Sequence, residues 1–187
     1  REKVTYRKNY SSATGEKSIL NTPIPPFKTF EVDEFLFLVD DAIDYTTAIV
    51  KTADKYSHEQ SNPLSEEHFH FEEKIIEEFL DYIYDNFDAF TLLLTKAHGS
   101  KHENFLEEIS LLYTKCCQTT FIWMYEEGYA PKKVKGMTVH VIASTLINAF
   151  AEIVLHKMSR DEATEYVENI TEFSRFGTLH MLGVSHH

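Results

Sequence analysis

The sequence predicts an all-α fold, an antiparallel bundle of about five long helices, and three observations carry that expectation. Only 6 Gly and 5 Pro occur in 187 residues, too few for a chain that turns every ten residues or so. Hydrophobic residues make up 43% and aromatic residues 13%, with 14 Phe and 10 Tyr, enough to fill a core and to exclude wholesale disorder. After the first thirty residues the apolar positions recur at spacings of three and four, the period of an amphipathic helix, and no strand alternation stands out.

The elements follow in order. Residues 1–30 form a basic amino-terminal segment that ends in Asn21-Thr22-Pro23-Ile24-Pro25-Pro26, a linker whose prolines remove backbone donors and hold the chain extended. The helical domain spans 31–183, and 184–187 is a tail. Asp33 is an N-cap candidate for a first helix running to about Tyr56 on Phe35, Leu36, Val39, Ile43, Thr46 and Val50. Ser57 to Pro63 reads as a loop. Ser65, followed by Glu66 and Glu67, opens a second helix with acidic groups at its positive end. The run Phe71, Ile75, Phe79, Ile83, Phe87, Phe90 and Leu94 predicts about six continuous turns. His98-Gly99-Ser100 stops it with a C-terminal glycine. A third helix runs through Phe105, Ile109, Leu112, Cys116, Thr120 and Trp123 to Glu127, where Gly128 ends it. Pro131 suits the first turn of a fourth helix reaching about His156. Ser159-Arg160-Asp161-Glu162 is a capping box, with Ser159 as N-cap and Glu162 at the third helical position. The last helix closes near Leu182-Gly183.

Charge is unevenly spread. The net charge is −12, yet Arg1 to Lys17 holds five basic residues (Arg1, Lys3, Arg7, Lys8, Lys17) against Glu2 and Glu16. That segment is therefore +3 and the rest −15. An acidic body repels a phosphate backbone, so any nucleic-acid contact is expected from the amino-terminal end or a segment outside this chain. The two cysteines, Cys116 and Cys117, are adjacent and cannot easily close a normal disulfide. A reducing cytoplasm is the expected compartment. No signal peptide is visible and no apolar run approaches the roughly 18 residues that cross a bilayer, so no membrane partner is expected. His186 and His187 have the look of a tag stub and are left out of the functional reading.

Candidate chemistry is sparse. Glu67-x-x-His70 matches one element of a diiron carboxylate bundle, but such a site needs two of these pairs and two more glutamates. His68 and His70 point to different faces and make a poor chelating pair, so a solvated acidic first turn is the simpler reading. Cys116-Cys117 has no third thiolate to complete a metal cluster, which favours small buried hydrophobes. No Gly-x-Ser-x-Gly elbow and no Gly-rich phosphate loop occur. The expectation is therefore no enzyme, no catalytic residue, no metal and no cofactor. Trp123 and Met124 beside Tyr113 and Phe121 suggest an aromatic ligand cavity or plain core packing. His140, Asn148, Glu152 and His156 form a polar stripe on an apolar helix, to be satisfied at a dimer seam, in a ligand cavity or by water.

The order of these features resembles a known family. A long second helix with Asp88-Ala89-Phe90 followed by Leu92-Leu93-Leu94, a third ending in Glu126-Glu127-Gly128, and two last helices closing on Phe173-x-x-Phe176-Gly177-x-Leu179-x-x-Leu182-Gly183 resemble the ligand-binding and dimerisation part of TetR/AcrR-family transcriptional regulators, over roughly Asp33 to Gly183. Tyr6-Arg7-Lys8-Asn9-Tyr10 and Glu16-Lys17-Ser18-Ile19-Leu20 resemble a stretched version of the ending of the family's helix-turn-helix, Tyr-x-x-Phe then Lys-Glu-x-Leu. The aromatics stand one residue too far apart, the Ser11 to Gly15 insert is longer than the pattern, and the two preceding helices have no counterpart.

The resemblance implies a cytoplasmic homodimeric regulator, a repressor, whose two DNA-reading heads change their spacing when a small-molecule effector favours one conformation. Effector contacts are expected from Phe90, Tyr113, Cys116, Trp123, His140 and Asn148, and DNA contacts from Tyr6, Arg7, Lys8 and Tyr10. Val141, Ile147, Val154, Val167, Phe173 and Phe176 occupy more apolar faces than one core requires. With small residues such as Ala143 and Ala151 allowing close approach, the expected dimer seam is Ala143, Ile147, Ala151, Val154, Val167, Phe173 and Phe176. Two other readings stand beside this one: an acidic helical interaction module that meets a basic partner, and a metal-dependent helical enzyme.

Overall fold

The computed structural model describes residues 3–6, 28–59 and 62–184, with side chains from Phe37 onward. Its body is all-α. Helix α1 (Val32–Glu59), α2 (Glu66–Asp85), α3 (Phe87–Lys96), α4 (Phe105–Glu126), α5 (Gly136–Leu155) and α6 (Arg160–Leu182) follow a short antiparallel ribbon of β1 (Lys3–Tyr6) and β2 (Lys28–Glu31). The ribbon, in which Lys3 pairs with Glu31 and Tyr6 with Lys28, departs from the sequence reading, which expects no strand. The start of the stretch likened to a helix-turn-helix ending is thus a strand. Arg7, Lys8, Tyr10 and the Pro23–Pro26 linker lie outside the described residues.

Helix α1 turns Val39, Ala42, Thr46 and Ile49 inward, at spacings of three and four. The buried Thr46 hydroxyl donates to the Ala42 carbonyl at 2.7 Å, which satisfies it without leaving the helix. Ser65 caps α2 by accepting the His68 N–H at 3.2 Å. The predicted single helix from Phe71 to Leu94 is two, broken at Asn86. There the backbone leaves helical geometry (φ −120°, ψ 30°) and the Asn86 side chain donates to the Tyr82 carbonyl at 3.0 Å, a local bond that competes with helix continuation. The break lets α3 turn Ala89, Phe90, Leu92 and Leu93 inward on an axis different from that of Leu80 and Ile83.

Gly128 follows the α4 cap with a φ of +83°, and Gly99, in the turn two residues past the α3 cap at Ala97, has a φ of +77°, the left-handed conformation that favours glycine. Pro131 does not begin α5. Residues 131–134 cross the end of the bundle, where the Lys132 N–H donates to the Leu182 carbonyl at 3.0 Å, and the helix starts at Gly136. Lys132, Lys133 and Lys135 together oppose the positive end of a helix dipole, so the lysines sit before it rather than in its first turn. Ser159 and Glu162 form the expected capping box. Tyr84 fixes the same corner by donating to the carbonyls of Met158 and Ser159 at 2.8 and 2.9 Å.

Helix α5 lies chiefly against α4 and also meets α6 and α3, while α1 packs on α4, α3 and α2. The core comprises four clusters: Val39, Leu92, Leu93, Phe105 and Ile109; Ala42, Ile83, Phe90 and Val154; Leu80, Ile153, Ala163 and Val167; and Met124, Ala130 and Leu182. By length and composition α5 is apolar enough to cross a membrane, with a mean hydropathy of 1.6, contrary to the sequence expectation that no run approaches that length. Its inner face, including Val139, Ala143, Ile153 and Val154, is buried within this chain.

A candidate ligand cavity between the helices

Residues of all six helices line a partly open cavity of about 270 Å³, just below the roughly 300–1,000 Å³ usual for small-molecule sites. One end is apolar, walled by Ile83, Phe90, Leu94, Ile109, Ile147 and Phe150. The other collects polar groups from four helices: Asp54 of α1, His68 and Glu72 of α2, Tyr113, Cys116 and Cys117 of α4, and Thr171 and Arg175 of α6.

Local structure sets each of these groups. His68 stands in the first turn of α2, four residues before Glu72, and its Nε2 lies 3.3 Å from Glu72 Oε1 while its side chain is only 5% exposed. In the neutral ring this contact puts the proton on Nε2 and leaves Nδ1 as an acceptor. Tyr56 stacks on Phe71 with centroids 3.5 Å apart and lies 6.0 Å from the His68 ring, so an aromatic wall backs the histidine. Arg175 reaches across to α2, with Nη1 3.2 Å from Glu73 Oε1 and Nη2 3.9 Å from Glu72 Oε2, and its guanidinium covers the Phe69 ring at 4.7 Å.

The thiols are held neutral. Burial, with Asp54 alongside, pushes Cys116 up to about 11. Burial also pushes Cys117 up to about 12, against a smaller opposing effect of its hydrogen bond with Tyr113. The Tyr113 hydroxyl is raised well above its ordinary value, by Cys117 first and then by burial. At neutral pH these three groups are uncharged donors, unsuited to thiolate chemistry.

Four buried polar atoms have no hydrogen-bond partner among the described residues: Asp54 Oδ1, His68 Nδ1, Thr171 Oγ1 and Arg175 Nε. All four residues line this cavity. Buried polar atoms are nearly always paired, so the coincidence marks the polar end as a place where a ligand or water completes the bonding.

Of the six expected effector residues, Phe90, Tyr113 and Cys116 line the cavity; Trp123, His140 and Asn148 do not. Trp123 packs on Tyr129 with centroids 5.6 Å apart. His140 joins α5 to α4. Thr114 Oγ1, which donates to the Ser110 carbonyl at 2.6 Å, lies 3.1 Å from His140 Nδ1, and Ser144 Oγ is 3.4 Å from Nε2. With the Thr114 hydrogen committed, Nδ1 is the donor and Nε2 the acceptor. Asn148 donates to the Ser144 carbonyl at 2.7 Å and lines a separate recess near Asn104. Glu152 and His156 pair at 2.8 Å, so most of the polar stripe is satisfied on α5 itself. Sequence reasoning missed Asp54, His68, Glu72, Thr171 and Arg175. His68 shares the spacing of Phe71, Ile75 and Phe79, which is the one signal that could have turned it inward.

The expected dimer seam divides in the same way. Ala143, Ala151, Val154 and Val167 are buried in the core of the single chain, and Ile147 packs on the cluster around Leu93 and Phe105. They are corrected to core positions, because helical periodicity reports that a face is covered and not what covers it. Phe173 and Phe176 do face outward, 70% and 47% exposed, as do Met137, Val141 and Leu155 of α5. Among the described residues no group of three or more His, Cys, Asp or Glu side chains is gathered as a metal ligand set. Compared with known proteins, the chain matches no protein-family model, no curated protein and no solved structure.

Proposed function

We propose that this chain is the effector-binding and dimerisation part of a TetR-like, ligand-responsive transcriptional repressor acting in the cytoplasm. The observation that carries the reading is the partly open cavity between the helices, apolar at one end and lined at the other by buried polar atoms that lack partners. A helical body with a hollow of this kind is suited to hold a small molecule and to shift between two packings according to occupancy. Its last two helices also leave Met137, Val141, Phe173 and Phe176 facing outward, in the place where the family resemblance puts a partner copy. On this reading DNA contact falls to the amino-terminal region that contains Tyr6, Arg7, Lys8 and Tyr10.

Light scattering on the purified chain tests it. A mass twice the 21.8 kDa of one chain is expected at micromolar concentration, with Phe173→Glu and Val141→Glu shifting it toward the monomer. A monomer at all concentrations sinks the reading. The charge of −15 outside Arg1–Lys17 favours a second reading, an acidic interaction module. Monomeric behaviour together with binding to a basic peptide that weakens steeply with salt would support that alternative.

A further inference from the structure

We infer that the cavity is built for a small amphipathic cation, an amine head carried on an apolar tail. This rests on the cavity being a ligand site, as proposed above, and adds the class of ligand.

The charges on the wall decide the sign of the head. The ionic residues lining the cavity are Asp54, Glu72 and Arg175, two carboxylates against one guanidinium. Arg175 is already engaged by Glu73 at 3.2 Å and Glu72 at 3.9 Å, and is stacked over Phe69. An anionic head would compete with those two carboxylates for the guanidinium and would also face Asp54. Asp54 has no such partner. Its Oδ1 makes no hydrogen bond, its carboxylate lies beside the neutral Cys116 thiol, and its ion-pair partner is the His58 ring at 3.5 Å, which carries charge only when protonated.

The unpartnered atoms agree with the charge count. Asp54 Oδ1 is an acceptor, and so is His68 Nδ1 in the neutral ring, whose Nε2–H faces Glu72. Thr171 Oγ1 can accept as well as donate, and Arg175 Nε alone must donate. An ammonium presents donors only, matching three of the four. Phe71, which lines the cavity on the same helix as His68 and is backed by Tyr56, adds a ring of the kind that attracts cations. At the opposite end Phe90, Leu94 and Ile109 offer nothing polar, which suits an alkyl or aryl tail. The volume of about 270 Å³ limits the ligand to a compact molecule.

Titration calorimetry with decylamine, decanol and decanoate, each below its aggregation limit, separates head from tail, since the tail is constant. Decylamine is expected to bind once per chain and about tenfold or more tighter than decanol, with decanoate weakest. Asp54→Asn should remove most of the decylamine advantage and leave decanol unchanged. Leu94→Trp, which fills the apolar end, should weaken all three. Circular dichroism melts confirm that each variant folds. Decanoate binding tighter than decylamine, equal affinities for all three, or no binding of any would overturn the inference. Binding is read without DNA and without regard to oligomeric state. A monomer that prefers decylamine would therefore refute the regulator and keep the ligand class, whereas a dimer that prefers decanoate would do the reverse.

Discussion

Cys116 and Cys117 show how a side chain's surroundings override its ordinary chemistry. Both thiols face the cavity and are raised, to about 11 and about 12, chiefly by burial. An acid whose folded-state value is raised adds stability that is present below its unfolded value, near 9 for these thiols, and is lost as the pH rises through the folded value. The denaturant midpoint is therefore expected to fall between about pH 9 and pH 11–12, and to fall less in Cys117→Ala. In the native state both thiols should react slowly with a disulfide reagent at pH 7, with full reactivity appearing only on unfolding. Fast native labelling of either thiol would contradict their placement. A second residue, Ser159, carries the capping box of α6, its oxygen accepting the Glu162 N–H at 3.3 Å while Glu162 Oε2 takes the Ser159 N–H at 2.8 Å. Ser159→Ala removes one half of that exchange and should cost about 1 kcal/mol in a urea titration. No measurable change would mean that Glu162 and Tyr84 hold the corner without it.

At the scale of the element, the helix ends were more legible than the helix interiors. Ser65, Gly128, Ser159 and Gly183 stand where capping chemistry places them, because a cap depends on a few neighbouring residues, whereas Asp33, expected as an N-cap, lies inside α1 and Gly99 lies two residues past the α3 cap at Ala97. The break at Asn86 was not legible. The apolar spacing of Phe79, Ile83, Phe87 and Phe90 passes through it, and only the rest of the core requires α3 to leave the axis of α2. Pro131 misled for a related reason: proline tolerates a first helical turn, but the adjacent lysines and the tie from Lys132 to Leu182 keep the segment extended. The two glycine caps on α4 and α6 make a comparative prediction. Gly128, at φ +83°, has open space where a Cβ would point, whereas at Gly183, at φ +79°, the Lys132 stem lies 3.1 Å from that point. Gly128→Ala should cost about 1 kcal/mol from backbone conformation alone. Gly183→Ala should cost more, since Lys132 must also move, and thermal melts of the pair decide the order.

For the whole molecule, the all-α class was readable from periodicity, and the position of the cavity was not. Its polar end joins Asp54, His68, Cys116 and Arg175 from four helices, a convergence that no spacing within one helix reports. The same limit explains the seam residues that proved to be core, since Ala143 and Val154 read alike whether their neighbour is α4 or a second chain. A hollow core has a thermodynamic signature of its own. Apolar walls that face a cavity forgo packing contacts with other side chains, at roughly 24 cal/mol per Å³ in core-truncation series, so a larger side chain packed against them should stabilise the chain. Ala53 of α1 lines the cavity and is half-buried, and a leucine there adds three carbons beside a wall with room to receive them. Ala53→Leu is expected to raise unfolding stability by about 0.5–2 kcal/mol and to weaken decylamine binding in the same protein. Ordinary close-packed cores respond the other way, losing stability to overpacking. A destabilised Ala53→Leu variant would therefore mean that the space between α1, α2 and α4 is already filled.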